Sequence, residues 1–396
     1  MTRGLDWPSW SEVASANLSR DGGFSLVTRV AIVHDYLTQR GGAERVVLTM
    51  LKAFPGAPLY TSLYEPGSTF PEFADHDVRP LWINRISAFR KDHRRALPLY
   101  PLAFGRLRFD PEPDVVICSS SGFAHGIQAR GRKVVYCYTP PRWLYDKAPA
   151  YLGAWPAGMR ALFSAASPCL RAWDRRAARS ADEYLTSSPA VAADIFNVYG
   201  VRATVLPPPV QVDAGGEQQV VGGQCRGFLL CVARLAAYKN VDAVVNALRS
   251  LPDSMLVVVG KGPEHSRLMA MAPPNVRFVG EVSEPELRWL YANCVGLVSA
   301  AYEDYGLTPN EAAAFGKPVA VLRAGGFLDT VIEGTTGVFF DAPSPALIAD
   351  ALKRLESRTW DDKAVMAHAA RFSEDGFMAQ LRGAVAGTAP DETPGA

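Results

Sequence analysis

The sequence predicts an α/β protein of two Rossmann-like, doubly wound domains facing across a cleft. Three observations predict it. From Arg29 onward, short apolar runs of strand length alternate with helical stretches, the pattern of parallel strands joined by crossover helices. The alternation halts once, in a Pro- and Gly-rich stretch at 206–224 (LPPPV, then DAGGEQQVVGGQ), and then restarts. At 396 residues the chain also exceeds one comfortable core.

In the first half, RVAIVH (29–34) reads as a buried strand and a helix follows from Gly42 to Phe54. Strands are expected at 57–63, 114–120, 133–139 and 183–188, with a long helix near 158–181. In the second half, FLLCVA (228–233), MLVVVG (255–260), VRFVG (276–280), GLVSA (296–300), PVAVL (318–322) and GVFF (337–340) are the strands. Helices fall between them near 241–250, 284–293 and 309–315. The expected division is a poorly ordered extension at 1–28, a first domain at 29–205 and a linker at 206–226. A second domain at 227–358, a helical segment at 359–385 that packs back on the first domain, and a frayed tail at 386–396 complete it.

Composition excludes several classes. A net charge of +1 favours neither nucleic acid nor an acidic surface. The six cysteines form no CxxC pair, so a zinc knuckle or disulfide framework is not expected, and a reducing cytoplasm fits. No apolar run reaches the roughly 18 residues that span a bilayer, and residues 1–28 lack the apolar core of a secretory signal.

The chemistry concentrates in EDYGLTPNE (303–311), after the strand at 296–300. Thr308, Pro309 and Glu311 fit N-cap, N1 and N3 of a helix, a capping box. A helix N-terminus gathers backbone N–H groups and positive dipole, which hold phosphate. Glu303, beside Asp304, Tyr305, Gly306 and Leu307, has no such local role and is a candidate for sugar hydroxyls; Gly306 permits close backbone approach. Glu311 has its cap, and a carboxylate there can also accept ribose hydroxyls. Arg234 and Lys239, in ARLAAYKN straight after a strand, can clamp a diphosphate and stabilise it as a leaving group, or be an ordinary solvated pair.

Other candidates are weaker. Gly41 and Gly42, in HDYLTQRGGAER, suit either phosphate approach or a flexible turn, and Gly325 and Gly326 repeat that logic. GKGPEH (260–265) keeps two of three Rossmann glycines, Gly260 and Gly262, but His265 replaces the third, so nicotinamide binding is not expected. His34, Asp35, His125 and Tyr138 sit near strand ends, where each serves either chemistry or packing. Asp75-His76-Asp77 forms a DxD tripeptide in an expected loop far from the phosphate residues, so no metal and no cofactor are expected. From Leu81 to Asp110, seven cations against two anions leave a local excess of +5, with Trp82, Ile83, Ile86 and Phe89 interleaved. Such a run is either a solvated basic helix or a peripheral contact with an anionic leaflet that collects a lipid-linked acceptor.

ARLAAYKN followed by EDYGLTPNEAAAFGKPVAVLRAGG resembles the retaining glycosyltransferases of the GT-B fold, family GT4, with Glu303 and Glu311 at their Glu-x7-Glu spacing. The likeness runs from Arg29 to about Phe340. HDYLTQRGGAERV and VVYCYTPPRWLYD resemble the branch containing bacterial mannosyltransferases of surface-polysaccharide assembly. The resemblance implies that Arg234 and Lys239 hold the donor diphosphate and that Glu303 faces the donor sugar. It implies that the backbone of Tyr305, Gly306 and Leu307 touches phosphate and sugar, that Glu311 takes the ribose, and that Gly41 and Gly42 lie beside the diphosphate. It further implies metal-free transfer with retention from a nucleotide sugar, GDP-mannose leading, to a hydroxyl acceptor. Relatives commonly carry His where Tyr138 stands, so Asp35 or His125 is expected to do more here. Two rival functions remain at this level: a sugar-nucleotide epimerase on the same fold, and a catalytically idle sugar-nucleotide binder.

Overall fold

The computed structural model describes residues 28–145, 157–210, 212–223 and 226–387. Nearly all of the expected extension at 1–28 and of the expected tail at 386–396 lies outside them. The first lobe holds seven strands: β1 (Val30–His34), β2 (Leu59–Thr61), β3 (Val78–Pro80), β4 (Val115–Ser120), β5 (Arg132–Cys137), β6 (Glu183–Thr186) and β7 (Thr204–Val205). They form one sheet in the order β3-β2-β1-β4-β5-β6-β7, every pairing parallel. The second lobe holds β8 (Phe228–Val232), β9 (Leu256–Val259), β10 (Val276–Gly280), β11 (Cys294–Ser299), β12 (Val319–Leu322) and β13 (Gly337–Phe340). Their order is β10-β9-β8-β11-β12-β13, again all parallel. Counted from the first strand of each lobe, the second sheet reads 3-2-1-4-5-6, the doubly wound order, and the first reads the same with β7 added as a seventh strand at its edge. The sequence reading missed β3 and β7, which are too short to carry a period.

The strands are apolar without alternation because helices cover both faces of each sheet. In β1, Ala31 and Val33 enter one apolar cluster with Tyr100 and Phe104. Between them Ile32 enters the opposite cluster with Val46, Val47 and Met50. Those three come from the helix Gly42–Ala53, whose buried stripe returns every three to four residues. Each fully buried aliphatic side chain of this kind contributes roughly 1.5–3 kcal/mol.

Beyond the helix Pro345–Ser357, which follows β13, the segment expected at 359–385 forms two helices. Asp362–Ala370 packs Val365 and Ala369 on Ala313 of the second lobe. Ser373 then caps a new helix, Glu374–Ala386, its Oγ accepting from Gly376 N at 3.2 Å. This last helix crosses to the first lobe, where Phe377, Leu381, Ala384 and Val385 join the cluster under β1. Glu374 there accepts from Lys52 Nζ at 2.9 Å and Thr49 Oγ1 at 3.0 Å.

Strand order decides what meets what. In a 3-2-1-4-5-6 sheet the connections from the first and fourth strands leave to opposite faces, opening a crevice at their carboxyl ends. In the second lobe those ends are β8 and β11, which carry Arg234, Lys239 and Glu303 on the loops that follow. In the first lobe they are β1 and β4, followed by Asp35, Gly41 and Gly42 on one side and Ser121 to Gly122 on the other.

Candidate functional site

The loop after β8 is short and held at three points. Leu235 N donates to Lys261 O at 2.8 Å, which sets Arg234 against the loop after β9. Gly260 and Gly262 make that approach possible: a Cβ on Gly262 would sit 2.1 Å from Leu235 O, and one on Gly260 2.0 Å from Ala233 O. The structure thus explains Gly262 by backbone packing beneath Arg234. The single turn Ala237–Lys239 ends at Asn240, in left-handed conformation with φ 52°, whose Nδ2 donates to Ala300 O at 2.9 Å. That bond ties the Lys239 turn to the end of β11. Asn240 was not singled out from the sequence, although its place beside Lys239 in ARLAAYKN was visible.

Lys239 Nζ pairs with the Glu303 carboxylate, both side chains half-buried. Glu303 is fixed through its main chain: its carbonyl accepts from Gly326 N at 2.8 Å. Gly325 and Gly326 are spacers for this loop, since a Cβ on either would lie about 2 Å from Glu303 O or Tyr305 Cα. They back the Glu303 loop at close range. Gly306 has φ 81° and a Cβ there would strike the Phe327 ring at 2.4 Å, so the turn admits glycine for two reasons.

The capping box expected at Thr308–Glu311 does not form. The helix is Leu307–Ala314, and Gly306 is its N-cap without a side-chain hydrogen bond. Glycine's left-handed turn starts the helix early, and Pro309 is tolerated because first-turn N–H groups lack intrahelical acceptors anyway. Glu311 therefore lies one turn in, freed from capping. Its Oε2 accepts from Tyr291 OH at 2.6 Å and it is 8% exposed. Burial raises its pKa, with the Tyr291 hydrogen bond and the Arg45 charge pulling the other way. Of its neighbours, Tyr305 is buried with its OH accepting from Asn310 Nδ2 at 2.9 Å.

In the first lobe, Gly41 is the extended N-cap of Gly42–Ala53 and Gly42 faces the second lobe: a Cβ on it would lie 2.8 Å from Leu307 Cδ1. Tyr138 braces this glycine turn. Its OH donates to Ala43 O at 3.1 Å and shares a 3.0 Å hydrogen bond with Ser119 Oγ, which meets His34 Nδ1 at 3.0 Å. Burial pushes the Tyr138 phenol far above its ordinary pKa, so it stays protonated and serves as a brace, not a base. Buried Glu44 lies beside it, with His34 Nε2 3.9 Å from its Oε1 and Gln39 Nε2 donating to the same oxygen at 3.1 Å.

Asp35 and His125 are turned to structural work. The Asp35 carboxylate accepts from Ser121 N at 2.6 Å, Phe123 N at 2.9 Å and Ala124 N at 2.7 Å, stapling the loop after β4 to the end of β1. Its lone pairs are committed to the backbone, which leaves little for a substrate. His125 is buried, with Nδ1 3.2 Å from Ser120 Oγ and Nε2 3.0 Å from Asp174 Oδ1, among Trp173 and Tyr199. Asp35→Asn sets an amide NH2 against backbone donors. It is expected to lower unfolding stability by about 2–4 kcal/mol, given about 1.5–3 kcal/mol per hydrogen bond to a charged group. Urea denaturation measures this; an unchanged midpoint would return Asp35 to the list of chemical residues.

The lobes meet through Asp304 and through residues that sequence reasoning passed over. Arg45, over the Phe70 ring, pairs with Glu284 at the start of the helix Glu284–Asn293, and its charge reaches Glu311. Arg142, in the quoted TPPRWLYD, pairs with Asp304, and Ser188 Oγ donates to Asp304 O at 3.0 Å. Arg234 lies near enough to the first lobe for its charge to act on Tyr36 and His93, which are stacked at 4.2 Å. Only the folded chain brings the cross-lobe partners, more than 100 positions apart, together.

The Asp75–Asp77 tripeptide sits at the end of a single turn, Pro71–Asp75, and at the amino-end approach to β3, away from the crevice. There Asp77 pairs with Arg79. A cavity of about 640 Å³ opens at that same end of the first sheet, lined by Arg29, Phe54, Pro58, Arg79 and Arg382. Of the residues singled out from the sequence, Asp77 alone is in its lining.

The two lobes each match a known family description. "Glycosyltransferase Family 4" matches residues 40–214 and "Glycosyl transferases group 1" matches 223–373. The chain belongs to this glycosyltransferase family. A D-inositol 3-phosphate glycosyltransferase of Nocardioides sp. is 29% identical over 217 residues, covering 46% of this chain and 47% of its own length. A GDP-mannose-dependent alpha-mannosyltransferase of Corynebacterium glutamicum is 34% identical over 130 residues, covering 33% and 29%. The chain spans about half the length of the curated relatives it matches first. Among solved structures, Anabaena Alr3699/HepE in complex with UDP and glucose superposes with a TM-score of 0.65 at 18% identity, over 90% of this chain and 99% of that one. Sucrose-phosphate synthase from Thermosynechococcus elongatus gives 0.66 at 16%, over 89% and 97%. These two share the GT-B fold of this glycosyltransferase-family chain.

Proposed function

We propose that the chain is a retaining glycosyltransferase that moves a hexose from a nucleoside diphosphate sugar to a hydroxyl acceptor. The observation that carries this reading is the Lys239–Glu303 pair at the carboxyl ends of β8 and β11, on the crevice that strand order creates. With no donor present each side chain neutralises the other. With donor bound, Lys239 passes to the diphosphate with Arg234, and Glu303 is released to the sugar hydroxyls. The bond from the anomeric carbon to the diphosphate oxygen breaks, and the acceptor oxygen bonds to the same face of that carbon. The acceptor's proton goes to the departing phosphate. The two cations and the N-terminus of Leu307–Ala314 meet the leaving group's charge, so no metal and no cofactor are invoked. The buried phenol of Tyr138 fits this scheme, since it calls for no first-lobe base.

Mannose from GDP-mannose is the leading donor. It is supported by the branch resemblance of HDYLTQRGGAERV and by the similarity to a GDP-mannose-dependent mannosyltransferase. A cytoplasmic setting, where such donors are made, goes with it. Thermal-shift titration against GDP-, UDP- and dTDP-sugars tests the reading. A ligand at about 100 times its Kd should stabilise the fold by about 2.7 kcal/mol, and GDP-mannose is expected to give the largest shift. No shift with any sugar nucleotide would refute the proposal. Conversion of the donor to an epimer without acceptor would favour the epimerase instead, and binding without any turnover the idle binder.

A further inference from the structure

The basic run at 81–110 divides on folding into an anchored part and a part left in solvent. Ile83, Ala96, Tyr100, Phe104 and Leu107 are buried in the first-lobe core, so the run is firmly seated. It forms consecutive short helices, Trp82–Arg85, Ser87–Lys91, His93–Leu99 and Tyr100–Gly105. Trp82, Ile86 and Leu102 stay 43%, 40% and 41% exposed, although the core beneath them is well filled. Between them lie exposed Arg85, Lys91, Arg94 and Arg95, and just beyond Leu102 lies exposed Arg106. Asp92 faces Arg95 at 3.6 Å, and Arg90 is paired with Glu65 at 3.1 Å. Among the described residues no carboxylate pairs with Arg85, Lys91, Arg94 or Arg106.

We propose that residues 82–102 seat the first lobe on an anionic phospholipid surface. Apolar side chains on short helices enter the headgroup boundary, and unpaired cations beside them draw in anionic lipid. A nucleic acid would reward the cations but not a solvent-facing Trp82 and Ile86. A protein partner is left as an outcome of the test. The same run carries His93, stacked on Tyr36 just beyond β1, so the surface borders the crevice. A lipid-borne acceptor hydroxyl would then reach the site without leaving the membrane; this extension alone rests on the transferase reading. Among the described residues no helix is long and apolar enough to cross a membrane.

Vesicle flotation of the full chain tests the contact whatever its activity. With phosphatidylglycerol–phosphatidylcholine vesicles at low salt, wild-type protein is expected to float, and about 0.5 M salt should release most of it by screening. The double substitution Trp82→Ser/Ile86→Ser should weaken binding by about tenfold. Reversing Arg85 and Lys91 to Glu should abolish the preference for anionic lipid. Leu347→Ser, an exposed second-lobe change, should float like wild type. Melting curves establish that each variant is folded. Failure of wild type to float, or flotation unaffected by both first-lobe variants, overturns the proposal. The first would point to a protein partner for this face and the second to another part of the chain.

Discussion

Lys239→Ala is expected to lower kcat/KM for sugar transfer by about a thousandfold while leaving the melting temperature nearly unchanged. A positioned cation that stabilises a departing phosphate is worth about 10³–10⁵ in rate, and Lys239 is the one of the two candidates held in direct contact with Glu303. Its turn is secured independently of its ammonium, by Asn240 Nδ2 to Ala300 O, so removing the side chain beyond Cβ leaves the loop in place. Glu303 loses its partner but keeps solvent access, with 27% of its side chain exposed. The stability cost should therefore resemble that of a surface ion pair, at most about 1 kcal/mol. Glu303→Gln should be comparably inactive, because the amide keeps the shape but loses the charge that directs Lys239 before donor arrives. Steady-state transfer with the donor identified by thermal shift, paired with melting curves, makes the comparison. Near wild-type rates for both variants would remove the pair from the mechanism.

Glu311→Gln is expected to separate stability from donor binding. Burial raises the Glu311 pKa above its ordinary 4.5, so the folded protein holds a carboxylate it disfavours. The sign follows from linkage: a folded-state pKa above the unfolded one means the folded state binds its proton more tightly. The resulting penalty is absent below the ordinary carboxylate range. It grows as pH rises from the ordinary value through the raised one and is fully present above the raised value. Glutamine keeps an acceptor for Tyr291 OH, 2.6 Å away in wild type, and carries no charge. Glu311→Gln should therefore melt at or above wild type at pH 7, and its stability should fall less as pH rises from 4. On the proposal that this carboxylate accepts a ribose hydroxyl, its KM for donor should nonetheless rise about tenfold or more, the loss expected of a hydrogen bond to a charged group. A variant that melts lower and binds donor normally would make Glu311 a purely structural partner of Tyr291.

The two lobes were readable because buried parallel strands are continuous apolar runs, and β1, β9 and β13 stand out as VAIVH, LVVV and GVFF. The placement of the second-lobe candidates was readable for a related reason. Arg234, Lys239 and Glu303 follow β8 and β11 within seven residues, so local order places them at carboxyl ends. First-lobe residues were harder. Asp35, His125 and Tyr138 also follow strands, but hydrogen bonds to Ser121 N, Phe123 N, Asp174 and Ala43 O decide their roles, and those partners lie far along the chain. Thr308, Pro309 and Glu311 satisfied a capping pattern, yet the left-handed Gly306 started the helix before it.

By itself the sequence determined the number of sheets, their parallel sense and the loop residues that carry charge, because burial and backbone chemistry act over short stretches of chain. Tertiary structure alone decided which charges meet. Arg45 with Glu284, Arg142 with Asp304 and Gly42 against Leu307 join positions 162 to 265 residues apart. No local pattern encodes such contacts, since they arise only when the two sheets are set face to face.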